Sequence, residues 1–208
     1  MESLPMIFDG PEDGPVIVLA HGAGAPMDSR FMNTVARALG DAGLRVARFE
    51  FPYMRRLRET GERRPPDREP VLRETWHAVI QTLGGGGKVV IGGKSMGGRM
   101  ASLVADEAGV RGLVCLGYPF HPPGKPDRLR TAHLRDLRTP TLIVQGTRDD
   151  LGSRGEVEGY ELSPAIQIVW LEDGDHSSFK PRVSSGRTER QNLDEAVAAV
   201  VGFARRLG

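Results

Sequence analysis

Residues 88–99 read KVVIGGKSMGGR, an apolar run that breaks at Gly92 and Gly93, passes through Lys94, Ser95 and Met96, and turns helical after Gly97. The pattern is G-x-S-x-G between a strand and a helix. A serine on so tight a turn has its hydroxyl lifted clear of the sheet, and the flanking glycines let strand and helix backbones approach. Context supplies the weight that a short pattern lacks. Val89, Val90 and Ile91 read as a buried strand, and Met96, Met100, Leu103 and Val104 recur at helical spacing. A phosphate-binding G-x-x-x-x-G-K-[ST] loop would share the ending Gly93-Lys94-Ser95, but its first glycine falls on Lys88 and its loop would replace the apolar strand.

Outward from this stretch, further apolar runs alternate with helical patterns. Strands are expected at Val16 to Ala20, Val46 to Phe51, Lys88 to Ile91, Leu113 to Leu116, Thr141 to Val144 and Ile166 to Leu171. Alternation of this kind implies an α/β fold, a mostly parallel sheet with helices on both faces. Val46 to Phe51 carries Arg48 and Glu50, which puts it nearer an edge. Asp28 or Ser29 can cap a helix bearing Phe31, Val35, Ala38 and Leu39, and Gly43 ends it. Pro70 suits the first turn of a helix with Leu72, Trp76, Val79, Ile80 and Leu83 on one face. Thr188 and Gln191 stand at capping-box spacing before a last helix whose core positions are expected at Leu193, Val197, Val200, Ala204 and Leu207.

Composition limits the possible functions. The chain has 208 residues, 39% of them hydrophobic, enough for one core, so a single domain over 1–208 is expected. Net charge is +1, although 24 of the 28 basic residues are arginine, and no nucleic-acid motif accompanies them, so no nucleic-acid partner is expected. One cysteine, Cys115, precludes an internal disulfide and lies in the apolar run Leu113 to Leu116, where a buried thiol is expected. The first residues show no basic segment followed by an apolar one, and no apolar run reaches membrane-spanning length; the expectation is a cytoplasmic protein without a membrane partner.

Serine is a weak nucleophile, so Ser95 needs a general base, and the base needs a carboxylate to orient it. In a parallel sheet both belong just past C-terminal strand ends. Asp149 follows the run Thr141 to Val144, and His176 follows Ile166 to Leu171. Asp149 is preferred to its neighbour Asp150 from its turn position, whereas Asp173 and Asp175 lie too near His176 in sequence and suit turn formation. Two backbone amides are candidates for an anion hole: that of Met96, just after the nucleophile, and that of Ala23 in the turn His21-Gly22-Ala23-Gly24. His21 is read as bracing this turn. His21, Gly22, Tyr53, Tyr118 and His121 are candidate pocket-lining residues, though a loop histidine held by a carbonyl is an equal alternative for His121. His77 is read as a surface residue and His133 as one without a partner.

Together the stretches HGAGAPMDSRFM, FEFPYM, GGKSMGGRMAS, GYPFHPPGKP, QGTRDDLG and DGDHSSFKP resemble the small α/β-hydrolases. The resemblance is nearest the dienelactone-hydrolase-like group, and within it to a set that includes bacterial proteins and relatives of a subunit of an animal histone acetyltransferase complex. It implies the α/β-hydrolase fold without a large cap domain. It also implies Ser95 as nucleophile, His176 as base, Asp149 as acid, the Ala23 and Met96 amides as anion hole, and no cofactor or metal. Dienelactone hydrolases carry cysteine at the elbow where this chain has Ser95.

Two functions compete on this evidence. One is a serine hydrolase cleaving a small ester, thioester or related acyl compound through an acyl-enzyme; the other is a noncatalytic interaction module that keeps the fold. Tyr53 to Arg68 holds six arginines against three acidic residues and reads as a polar loop beside the site. It is read as a solvated surface loop, with an anionic acyl substrate bound by Arg55 and Arg56 as the alternative.

Overall fold

The computed structural model describes residues 4–207. In chain order the elements are β1 (Met6–Asp9), β2 (Val16–Ala20), α1 (Arg30–Asp41), β3 (Arg45–Phe49), α2 (Pro52–Thr60), α3 (Glu69–Thr82) and β4 (Val89–Lys94). There follow α4 (Met96–Ser102), α5 (Ala105–Ala108), β5 (Gly112–Leu116), β6 (Thr141–Gly146), α6 (Arg154–Val157), β7 (Ile166–Leu171) and α7 (Glu189–Leu207). The strands form one seven-stranded sheet in the order β1-β3-β2-β4-β5-β6-β7. Among the described residues only β1 runs antiparallel, Met6 standing opposite Phe49.

The period-two alternation of each strand divides the apolar side chains between the two faces. Val18, Ala20, Ile91, Leu113, Cys115 and Ile143 join the core that holds Trp76 of α3 and Met100 of α4. Ile17, Leu19, Val90, Val114, Leu142 and Val144 join the core under α1 and α7. Thus the doubly covered parallel sheet expected from the alternation of runs is the one observed. Ser29 caps α1 through its Oγ, and Thr188 and Gln191 make the reciprocal bonds of a capping box before α7. On α7 itself the buried positions are Asn192, Ala196, Val200, Val201, Phe203 and Ala204, a face rotated from the expected one, which leaves Leu193 and Val197 half-buried.

Three further features depart from the sequence expectation. Strand β1 was not anticipated: four residues, MIFD, half-exposed at the sheet edge, are too few to show a period. The strand expected at Val46 to Phe51 begins at Arg45 and stops at Phe49, one strand in from the edge that β1 occupies. The segment read as a polar loop from Tyr53 begins with helix α2. Pro52 fixes its first turn and Gly61, at φ +73°, ends it in a left-handed conformation that suits glycine. Tyr53 and Met54 face the core, so a helix that is charged by composition is nonetheless anchored.

The charges inside β3 and just after it are paired. Arg48 bonds Asp9 at 2.7 Å, Asn33 Oδ1 at 2.6 Å and the Met27 carbonyl at 2.7 Å. Glu50 is held by Arg58 of α2 at 2.7 and 3.0 Å, and Arg58 also forks onto Asp28. Arg48→Ala leaves the half-buried Asp9 carboxylate and two further acceptors without their donor, and is expected to lower unfolding free energy by about 2 kcal/mol, read from urea denaturation. An unchanged midpoint would show the pair to be without net value.

Candidate active site

Strand β4 ends at Lys94, α4 begins at Met96, and Ser95 makes the whole turn with φ 50° and ψ −116°. Backbone strain of this kind costs about 1–3 kcal/mol and persists only where the surroundings enforce it. Two glycines permit the enforcement. A Cβ on Gly93 would stand 2.2 Å from the Ala20 carbonyl oxygen, and one on Gly97 would stand 2.5 Å from that atom and 2.6 Å from the His21 oxygen. No side chain fits at either place, so α4 packs directly on the end of β2. The Ser95 N–H donates to Leu116 O of β5 at 3.1 Å.

The remaining polar groups arrive from two other strand ends. Asp149, in the turn after β6, is fully buried, and its Oδ1 accepts from the Leu151 N–H at 2.8 Å. Asp150 beside it is exposed. His176, in the loop after β7, lies 2.8 Å from Asp149 Oδ2 and 3.0 Å from Oδ1 through Nδ1, and 2.8 Å from Ser95 Oγ through Nε2. A carboxylate accepts only, so Nδ1 carries the proton and donates it, which leaves the Nε2 lone pair to accept from the serine hydroxyl.

Other residues hold the His176 loop in shape. Asp175 Oδ1 accepts from the amides of Ser178 at 3.1 Å and Lys180 at 2.9 Å, while Asp173 takes Arg182 and Arg148. From α7 the fully buried Asn192 donates to Glu172 O at 3.1 Å and Phe179 O at 2.7 Å. The imidazole is therefore aimed by a fixed loop.

The turn after β2 completes the site. His21 is fully buried; its Nε2 accepts the Phe51 N–H at 3.1 Å, so the proton is on Nδ1, which donates to Gly22 O at 2.7 Å. Burial also holds its pKa below the ordinary histidine value. The Tyr53 hydroxyl donates to Ala23 O at 2.9 Å, and burial raises its pKa far above the usual phenol range. Because C=O and N–H point opposite ways across a trans peptide, drawing the Gly22 carbonyl toward His21 turns the Ala23 amide the other way. Among the described residues neither that amide nor that of Met96 donates to a protein acceptor. Gly22 flanks Ser95: a Cβ on it would be 3.7 Å from Ser95 Cβ.

Of the candidate pocket-lining residues, Tyr53 walls a cavity of about 380 Å³ together with Ala23, Pro26, Met54 and Leu57. His21, Tyr118 and His121 do not serve as surface. His21 braces the turn. Tyr118 is buried against Phe120, with its hydroxyl on Arg130 O at 2.9 Å. His121 is buried with its Nδ1 on Pro122 O at 2.9 Å. His133, expected to stand alone, has a partner in Ser102 Oγ at 2.8 Å, and burial, aided by Arg99, brings its pKa down to about 4. The Ser102 hydroxyl donates to Arg99 O at 2.7 Å, so His133 Nε2 donates to Ser102 Oγ and cannot act as its base.

Sequence reasoning passed over Lys94. It ends a strand buried at every position, and its Nζ donates to His176 O at 2.6 Å. A lysine closing an otherwise apolar run, directly before the serine, was the available signal. No group of three or more metal-ligating side chains occurs among the described residues, and no helix there is long and apolar enough to cross a membrane.

A parallel sheet with a strained serine elbow, and with an imidazole and a buried carboxylate at its C-terminal edge, is the architecture of an α/β hydrolase. The chain belongs to the alpha/beta hydrolase domain family, whose model matches residues 13–205. It is similar to the rat protein named "Putative protein-lysine deacylase ABHD14B", at 28% identity over 78% of this chain and 75% of the relative. Its fold matches an α/β serine hydrolase homologue from Coxiella burnetii, with a TM-score of 0.69 and 19% identity over 98% of this chain and 91% of the other. It also matches a serine hydrolase without a lid from Xanthomonas campestris, with a TM-score of 0.68 and 20% identity over 97% and 88%.

Proposed function

We propose that this protein is a serine hydrolase that cleaves a small ester, thioester or related acyl compound through an acyl-enzyme at Ser95. The observation that carries this is the unbroken hydrogen-bonded line from Ser95 Oγ through His176 to buried Asp149. Ser95 Oγ attacks the acyl carbon while its proton passes to His176 Nε2, and the oxyanion is taken by the amides of Ala23 and Met96. Collapse expels the leaving group, which takes the proton from His176. Water then gives a proton to His176 as its oxygen attacks the acyl carbon, and the acid departs with Ser95 restored. Asp149 keeps the ring in the tautomer that accepts from serine and stabilises the imidazolium. The dienelactone-hydrolase-like kinship belongs to this reading without its substrate: dienelactone hydrolases carry cysteine at the elbow, and this chain carries Ser95.

The cavity beside the Ala23 turn supports an acyl group with an apolar stem and an anionic end. Its walls are Pro26, Tyr53, Met54 and Leu57, and its acids Asp28 and Glu50 are both taken up by Arg58. Arg63 and Arg64 stand exposed at its rim, Arg64 bonding Glu62 at 2.9 Å, whereas Arg55 and Arg56 pair with Glu59 and Glu62 and line only an adjoining depression, which Arg64 also borders. The anionic reading therefore passes from Arg55 and Arg56, which do not line the cavity, to Arg63 and Arg64, which do. An Arg63/Arg64→Ala variant is expected to lose about threefold to tenfold in kcat/KM on a carboxylate-ended aryl ester, less at high salt, and to keep its rate on the neutral analogue. Equal effects on both esters would remove the anionic substrate.

Labelling of Ser95 by a fluorophosphonate, followed by a chain-length panel of aryl esters and an acyl-lysine peptide, tests the whole reading. An unlabelled, natively folded protein would favour the noncatalytic module.

A further inference from the structure

Lys94 has no task in the reaction as drawn, yet its ammonium lies against the histidine. Besides donating to His176 O, Nζ sits over the rings of Phe31 at 5.7 Å and Phe179 at 6.0 Å. Gly117 marks how closely the groups gather: a Cβ there would be 3.0 Å from Lys94 Nζ, 3.5 Å from Asp149 Oδ2 and 3.6 Å from His176 Nδ1. The charged groups bearing on Lys94 are Asp149 and Asp150 from the turn after β6 and Asp175 from the loop after β7; the neighbours from α1 and from the 179 position are uncharged rings. Burying an ammonium is costly, and a side chain needed only to fill this slot would be apolar.

We propose that Lys94 is a positioning residue for His176: its ammonium, seated between two aromatic rings, fixes the backbone carbonyl from which the imidazole hangs. Burial, offset in part by Asp149, brings the Lys94 amine down to about 8. Its charge is therefore present below that pH and fades above it. The advantage belongs to the neutral and acid range. This inference rests on the reading of Ser95, His176 and Asp149 as an acyl-transfer site.

The test is the pH dependence of fluorophosphonate labelling of the full chain, for wild type, Lys94→Met and Lys94→Arg, with circular dichroism as the fold control. Methionine matches the stem in length and fills the slot between the rings without charge. Lys94→Met is expected to label about tenfold more slowly than wild type below about pH 8, the two rates converging on the alkaline side as the wild-type ammonium loses its charge, while Lys94→Arg keeps most of the wild-type rate. Equal rates in Lys94→Met and wild type at every pH, or a loss in Lys94→Arg as large as in Lys94→Met, overturn the inference and make the lysine a filler. Should Lys94→Met lose its native spectrum, Lys94→Gln carries the same comparison. The imidazole NMR signals of His176, assigned by their loss in His176→Asn, read the expected loss of ring order in Lys94→Met without any reaction. Unchanged His176 signals in Lys94→Met overturn the Lys94 inference whether or not wild type labels, and an unlabelled wild type overturns the hydrolase reading by itself.

Discussion

Ser95→Ala is expected to lower kcat for ester hydrolysis by about a million-fold while leaving the fold intact. The expectation follows from the geometry around one atom. His176 Nε2 has the Ser95 hydroxyl as its proton donor at 2.8 Å, and without that oxygen no acyl-enzyme can form. Stability should hardly change, because the elbow is imposed by Gly93, Gly97 and the Ser95 N–H bond to Leu116 O, none of which uses the side chain. Matched preparations assayed on an aryl ester, with thermal melts, decide the point. Turnover in the variant within a hundredfold of wild type, free of contaminating enzyme, would remove Ser95 as nucleophile.

The second large effect concerns the carboxylate. Asp149→Asn is expected to cost roughly ten-thousand-fold in kcat with native structure retained. Asp149 Oδ1 already accepts the Leu151 N–H at 2.8 Å, so an asparagine keeps its oxygen there and turns its NH2 toward His176 Nδ1. That nitrogen must then accept, the ring proton moves to Nε2, and the base faces Ser95 with a proton instead of a lone pair. Asp150→Asn, at an exposed position one residue on, is expected to change kcat by less than about threefold. The reverse ranking would assign the role to Asp150. Comparable small losses in both variants would mean that neither carboxylate orients the histidine.

Much of this architecture is carried by local pattern. The alternation of apolar runs with helical stripes requires a covered parallel sheet, because buried strands and amphipathic helices of these lengths have few other ways to hide their apolar faces. The G-x-S-x-G of residues 93–97 marks a strand-to-helix turn, and the order Ser95, Asp149, His176 follows from the chemistry expected past successive strand ends. The limits lie in segments whose behaviour depends on distant partners. The arginine-rich stretch from Tyr53 looks solvated by composition, yet α2 forms in it because Tyr53 reaches the Ala23 carbonyl and Arg58 reaches Glu50 and Asp28. Strand β1 exists because β3 offers it an open edge.

Sequence by itself determined six of the seven described strands, their alternation with helices, the tight serine turn and the candidate groups, since periodicity and turn chemistry are properties of neighbouring residues. Tertiary structure alone decided what those groups meet. Ser95 and His176 are 81 residues apart and touch through the register of β4, β5, β6 and β7, which sets their loops side by side at one sheet edge. The same register buries Asp149 while leaving Asp150 in solvent, withdraws Tyr118 and His121 from the pocket surface, and brings Lys94 under the His176 carbonyl. Hydrogen bonds and buried charges act over a few ångströms of space, and a one-dimensional pattern does not state which residues share that space.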